Sequence, residues 1–170
     1  EDNVEANVAS VRQYIAPILK EFDKLEKGKI SATTFEKNTP VMKLAMNDKE
    51  AVAKKDKVFG DFESLNDKKQ ANIEQSISTL DKHIADYQAK IDIDDKDYSS
   101  KAKLDNINLK KGMEEDKLDT VLTSYNTVEN DRQMLDKLVK VYAHNKKSDK
   151  KIDMKSPEYA DFNNWKNEIL

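Results

Sequence analysis

The fold is decided by the stretch Ile73–Ile91, which reads IEQSISTLDKHIADYQAKI. Its apolar residues follow one another at intervals of four and three, the repeat of a helix that packs along a narrow seam. The stretch therefore predicts a long helix, over Asp67–Ile91, that packs against a second helix. The residues of this seam are Ile73, Ile77, Leu80, Ile84, Tyr87 and Ile91.

The same spacing recurs on both sides of this stretch. A frame that starts at Val4 predicts a helix over Val4–Lys27, which Gly28 ends and in which Pro17 causes a kink or a new start. A second frame predicts the longest helix, over Leu104–Tyr142. This helix carries polar residues on its seam, and they are Lys111, Glu114 and Arg132.

The intervening segments predict shorter elements. Ile30–Asn38 is a connector or a short helix that Phe35 anchors. Thr39 and Pro40 have the residue types of a helix start, which predicts a helix over Pro40–Leu65. The acidic stretch Asp92–Ser100 is the loop that reverses the chain. Ser156 and Pro157 start a short C-terminal helix.

Composition excludes several classes of protein. The 170 residues include 30 Lys or Arg, 33 Asp or Glu, three Gly, three Pro and no Cys, and the net charge is −3. A disulfide scaffold needs Cys, and a phosphate-binding loop needs more Gly. No run of about 18 apolar residues is present. The nearly balanced charge argues against a nucleic-acid partner.

These patterns predict an all-α protein, an elongated antiparallel bundle of three to four long helices with coiled-coil-like packing and a short C-terminal helix. We expect a single domain that consists of three parts. Residues 1–145 form the bundle, residues 146–155 form a polar linker, and residues 156–170 form a helix that packs on the bundle.

Catalytic chemistry has few candidates. The chain has two histidines, His83 and His144, each with the character of a solvated or structural residue. The run Asp92–Asp97 does not match the ligand spacing of a calcium-binding helix–loop–helix. No Glu is followed by His at the spacing that di-metal bundles use. The acid run Glu114–Asp116 would need a pocket for acid–base work. We therefore predict a protein that is not an enzyme, with no catalytic residue, cofactor or metal.

Two segments are candidates for an interaction surface. The first is a lysine-rich run that could meet a polyanion, although a solvated linker explains it better. The second is the aromatic face of the C-terminal helix, which could dock a partner, although a cap on the bundle core explains it better. The candidate surface consists of Lys146, Lys147, Lys150, Lys151, Tyr159, Phe162 and Trp165.

The long charged helices Asp67–Ile91 and Leu118–Tyr142, with the polar and Cys-free start of the chain, resemble the cell-wall-binding lipoproteins of Gram-positive bacteria (the YkyA-like family). The resemblance implies an extracytoplasmic location at the cell surface. It also implies a lipid anchor on a Cys that would precede Glu1 and would be the sole link to a membrane. It carries no site residue over to this chain.

The functional expectation follows from this resemblance and from the composition. We expect a non-enzymatic extracytoplasmic protein that binds an envelope polymer or a protein partner, without nucleic acid. The alternative is an intracellular coiled-coil scaffold or assembly subunit, which would form homo-oligomers through its heptad seams.

Overall fold

The structure is a computed structural model, and it describes residues 4–147 and 156–170. Helices make up nearly all of these two ranges, and neither contains a strand. The predicted all-α class is therefore confirmed. The helices are α1 Val4–Glu26, α2 Ala32–Asn38, α3 Val41–Ala45, α4 Lys49–Ile93, α5 Tyr98–Lys147 and α6 Pro157–Ile169.

The chain divides into two compact units. The core unit comprises Glu1–Glu63 and Asn126–Leu170, and the hairpin unit comprises Ser64–Tyr125. In each unit α4 and α5 pack against each other in antiparallel order. In the core unit, Arg132 Nη1 lies 3.4 Å from Glu63 Oε1. In the hairpin unit, Lys111 Nζ lies 2.6 Å from Asp81 Oδ1.

The two helices expected over Pro40–Leu65 and Asp67–Ile91 do not exist as such, and this prediction is wrong. Helix α3 ends at Ala45, and α4 then continues to Ile93 without a break. The new start has a local cause, because Asn47 adopts a left-handed φ of 55° and Asp48 Oδ2 accepts a hydrogen bond from Ala51 N at 3.0 Å. Residues 65–67 contain neither Gly nor Pro, so nothing interrupts the helix there.

The ends of the other helices agree better with the sequence. Gly28, with a φ of 72°, ends α1 as predicted. Helix α1 continues through Pro17, so the predicted new start is wrong. Phe35 anchors α2 and is fully buried. Helix α5 extends past both predicted ends, to Tyr98 and to Lys147. Its earlier start has a local cause, because Asp97 caps the first turn by accepting a hydrogen bond from Ser100 N at 3.0 Å.

An aromatic cluster fills one end of the core unit. Phe22 of α1 lies 6.0 Å from Phe35 of α2 and 6.0 Å from Tyr159 of α6, between ring centroids. Phe35 also lies 5.0 Å from Tyr142 of α5, whose hydroxyl donates a hydrogen bond to Glu36 Oε1 at 3.0 Å. Four helices therefore meet at rings that are each large enough to contribute about 2 kcal/mol by burial.

A buried carboxylate joins three helices of the core unit. Asp131 of α5 is 0% exposed, and its Oδ2 accepts a hydrogen bond from Arg12 Nε of α1 at 3.0 Å. Its Oδ1 accepts one from Trp165 Nε1 of α6 at 2.9 Å. Arg12 also reaches Glu168 at 3.0 Å. Burial alone lowers the pKa of Arg12, but its hydrogen bonds to the two carboxylates outweigh burial and raise that pKa.

Helix α6 begins as the Ser156–Pro157 pair predicts. Most of the predicted linker, residues 148–155, lies outside the described residues, and Lys146 and Lys147 belong to α5. None of the described helices has an apolar stretch long enough to cross a membrane.

Replacing Asp131 should destabilise the core unit strongly. We expect Asp131→Ala to lower the free energy of unfolding by about 3 kcal/mol, because it leaves Arg12 and Trp165 without their buried acceptor. The measurement is urea unfolding followed by circular dichroism. The matched control is Asp61→Ala, which removes an exposed pair with Lys57 and should cost less than about 0.5 kcal/mol. Equal losses for both variants would contradict the role of Asp131.

Tyr14 offers a second test of the core unit. Its hydroxyl is buried with no hydrogen-bond partner among the described residues, and burial raises its pKa to about 12. Tyr14→Phe should therefore raise the free energy of unfolding by about 1 kcal/mol at neutral pH. The folded state keeps the phenol neutral up to a pKa of about 12, whereas the unfolded chain ionises it near pH 10. The free energy of unfolding of the unchanged protein therefore does not depend on this group below pH 10, and it falls as the pH rises from 10 through 12. Urea unfolding between pH 7 and 11 should show a flatter alkaline decline for the variant.

Candidate functional site

The described members of the predicted interaction surface do not form one patch. Tyr159, Phe162 and Trp165 are buried in the core unit, where α6 packs as the cap that the sequence favoured. Lys146 forms an ion pair with Glu36, and Lys147 is exposed at the end of α5. The remaining members of the predicted surface, Lys150 and Lys151, lie outside the described residues. The use of these residues in binding stays a prediction.

The polar seam residues of α5 form ion pairs with α4 or within α5. In the hairpin unit, Lys111 pairs with Asp81, and Glu114 pairs with Lys117 at 3.0 Å. In the core unit, Arg132 pairs with Glu63 and lies 5.6 Å from the centre of the Phe59 ring. These pairs are partly exposed, so the two that join α4 and α5, Lys111–Asp81 and Arg132–Glu63, help to set the register of the helices more than they add stability.

The acidic turn between α4 and α5 uses its carboxylates to hold the backbone. Asp94 Oδ1 accepts a hydrogen bond from Lys96 N at 3.0 Å, and Asp97 accepts hydrogen bonds from the Ser100 hydroxyl and backbone, which lower its pKa. Within residues 4–147 and 156–170, no group of three or more His, Asp or Glu is arranged to hold a metal ion.

The hairpin unit has only two helices, and its seam is therefore incompletely covered. The seam residues from Ile73 to Ile91 are all half-buried rather than buried. A shallow groove of about 630 Å³ runs along the two helices. Its α4 wall is uncharged, and its α5 wall carries one charge of each sign. The lining residues are Asn72, Gln75, Ser76, Thr79, Leu80, Lys110, Met113 and Glu114.

Exposed apolar side chains are concentrated in the hairpin unit. Across the described chain, seven large apolar side chains are exposed, and five of these belong to Ser64–Tyr125. Leu109 and Met113 are 69% and 59% exposed and lie one turn apart on α5, with Met113 at the edge of the groove. The other three are Ile93, Tyr98 and Leu122. The sequence frames did not identify these residues, because they lie off the heptad seam.

A second pocket, of about 400 Å³, lies in the core unit between α3, α4 and α5. Its floor is apolar, and Lys55 and Asp136 form an ion pair within it. The lining residues are Leu44, Ala45, Asn47, Val52, Lys55, Asp56, Asp136, Val139 and Lys140. We call this the α3–α5 pocket.

The two histidines lie apart from both cavities. His83 is exposed on α4, and His144 is exposed in the last turn of α5. Glu114 of the acid run lines the groove, but Glu115 and Asp116 are exposed and do not.

Comparison of the chain with protein-family models, with curated proteins and with solved structures finds no match.

Two glycines inside the long helices are not required by the packing of the chain. A Cβ added at Gly60 of α4 or Gly112 of α5 would meet no atom within 4 Å. Because Gly disfavours a helix by about 1 kcal/mol relative to Ala, we expect Gly60→Ala and Gly112→Ala each to raise the free energy of unfolding by 0.5 to about 1 kcal/mol. Urea unfolding measures the effect. A loss of stability in either variant would show a close contact at that glycine.

Proposed function

We propose that the chain is a non-enzymatic interaction protein that binds a protein partner or an envelope component through its hairpin unit. The observation that carries the proposal is the concentration of exposed apolar side chains in Ser64–Tyr125, a unit that also carries a groove with mainly uncharged walls. Such side chains cost free energy in water, and they contribute to binding when a partner covers them.

The groove runs along two helices, and this elongated shape favours a helical or extended partner. A two-helix hairpin leaves open the side on which a third helix would pack, and amphipathic helices dock in this way against apolar grooves. Leu80 and Met113 offer apolar contacts inside the groove, while Lys110 and Glu114 can each pair with a charge of opposite sign.

An extracytoplasmic location is part of the proposal, and it rests on the resemblance to the cell-wall-binding lipoproteins. Sequencing the gene upstream of Glu1 and labelling the cell-expressed protein with a lipid precursor tests it. A labelled Cys supports the surface location. A cytosolic product without label would favour the alternative, an intracellular scaffold that self-associates. Light scattering after size-exclusion chromatography addresses that alternative, and a species at the monomer mass of 19.5 kDa would contradict it.

Removing the apolar contacts of the hairpin should weaken binding. We expect the double variant Leu109→Gln/Met113→Gln to lose at least about tenfold in binding to isolated envelope fragments of the source cell, because each covered side chain contributes about 1.5 kcal/mol or more. Sedimentation of the fragments with purified protein measures the bound fraction.

The matched control for this experiment is Met46→Gln. Met46 is 72% exposed but belongs to the core unit. Its variant should bind as the unchanged protein does. The assignment of binding to the hairpin unit would be contradicted if the double variant bound as well as the unchanged protein. It would also be contradicted if the double variant and Met46→Gln lost binding equally. If the unchanged protein does not bind the fragments at all, the proposal that its partner is an envelope component is contradicted. The soluble proteins of the source cell would then be the partners to test.

A further inference from the structure

We infer that the α3–α5 pocket binds a small zwitterion with an aliphatic side chain, such as a free amino acid or a dipeptide. This inference goes beyond the proposed function, because it concerns the core unit and a ligand of a different kind. It depends on four features of the pocket, which are its apolar floor, the turn that carries Asn47, its two uncommitted charges and its size.

The floor is apolar and is contributed by three elements. Leu44 comes from α3, Val52 from α4 and Val139 from α5, and both Leu44 and Val139 are 8% exposed. The outer surfaces of these side chains line the pocket together with Asn47 of the α3–α4 turn. A ligand side chain that covers them loses apolar contact with water, which favours an aliphatic group.

The turn between α3 and α4, which lines the pocket, has a left-handed backbone conformation. Asn47 is the one non-glycine residue with a positive φ, 55°, among the residues that the structure describes. Asn tolerates this region better than most residues, and here it ends α3, since Asn47 N donates a hydrogen bond to Leu44 O at 3.1 Å and Asp48 N donates one to Lys43 O at 2.9 Å. Here the left-handed turn places Asn47 in the pocket wall, where its side-chain amide can both donate and accept a hydrogen bond.

The charges of the pocket divide into a satisfied pair and two free groups. Lys55 and Asp136 neutralise each other, since they form an ion pair across α4 and α5. Asp56 and Lys140 also line the pocket and are exposed, and neither forms an ion pair within the described parts of the chain. A zwitterion can place its ammonium at Asp56 and its carboxylate at Lys140, whereas an ion of one sign can use only one of them.

The size of the pocket limits the ligand. Its volume of about 400 Å³ lies at the low end of the range from about 300 to 1,000 Å³ that small-molecule sites occupy. An amino acid or a dipeptide fits this space. The pocket is partly open, so we expect dissociation constants of about 1 mM or somewhat tighter.

The test is a titration of the ¹⁵N-labelled full chain with L-leucine, followed by ¹H–¹⁵N correlation spectra. We expect saturable shifts at the backbone amides of Leu44, Asn47 and Val52. Glycine lacks the side chain, N-acetyl-L-leucine lacks the ammonium, and L-leucinamide lacks the carboxylate. Each of the three should bind at least about tenfold more weakly than L-leucine.

Two variants and two controls locate the site. Asp56→Asn and Lys140→Gln should each weaken L-leucine binding at least about tenfold. Asp61→Asn and Lys137→Gln remove exposed charges of the same helices outside the pocket and should leave binding unchanged. All four positions are exposed, so the variants should fold, which circular dichroism checks.

Three outcomes would overturn the inference. They are the absence of saturable shifts up to about 10 mM L-leucine, equal binding of the four compounds, and binding that the pocket variants do not change. A negative result here leaves the proposed function of the hairpin unit untouched, because the groove and the α3–α5 pocket share no residue.

Discussion

The core unit depends on one buried carboxylate. Asp131 accepts hydrogen bonds from Arg12 of α1 and Trp165 of α6, so a single side chain of α5 connects three helices. An isolated buried charge is costly, and Asp131 is tolerated only because both partners are present. The aromatic cluster of Phe22, Phe35, Tyr142 and Tyr159 joins these three helices to α2 and supplies apolar contacts among the four.

Helix α5 shows how the two units differ in packing. In the core unit, α5 buries the stripe Val128, Leu135 and Tyr142 and a second stripe that contains Asp131 and Leu138. In the hairpin unit α5 packs mainly against α4, and much of its seam there is only half-buried. Apolar groups outside the seam, such as Leu109 and Met113, therefore stay exposed. The two binding proposals follow from this contrast, since the hairpin unit offers an open surface and the core unit offers a partly open pocket.

The candidate sites could be predicted from the sequence only in part. The composition of the lysine run and of the aromatic helix predicts an interaction surface, yet the aromatic residues are buried in the core unit. The α3–α5 pocket could not be inferred, because Asn47, Asp56 and Lys140 have no shared sequence pattern. Asp131 was missed for a similar reason. It lies between polar residues, and its sequence neighbourhood is that of a solvated helix face.

The sequence by itself determined the helical class, the antiparallel pair of long helices, the end of α1 at Gly28 and the start of α6 at Ser156 and Pro157. These features depend on periodicity and on caps, which are properties of residues close together in the chain. Only the tertiary structure decided the burial of Asp131 and the walls of the α3–α5 pocket. Each of these depends on contacts between side chains that are far apart in the sequence, and a local sequence pattern does not predict such contacts.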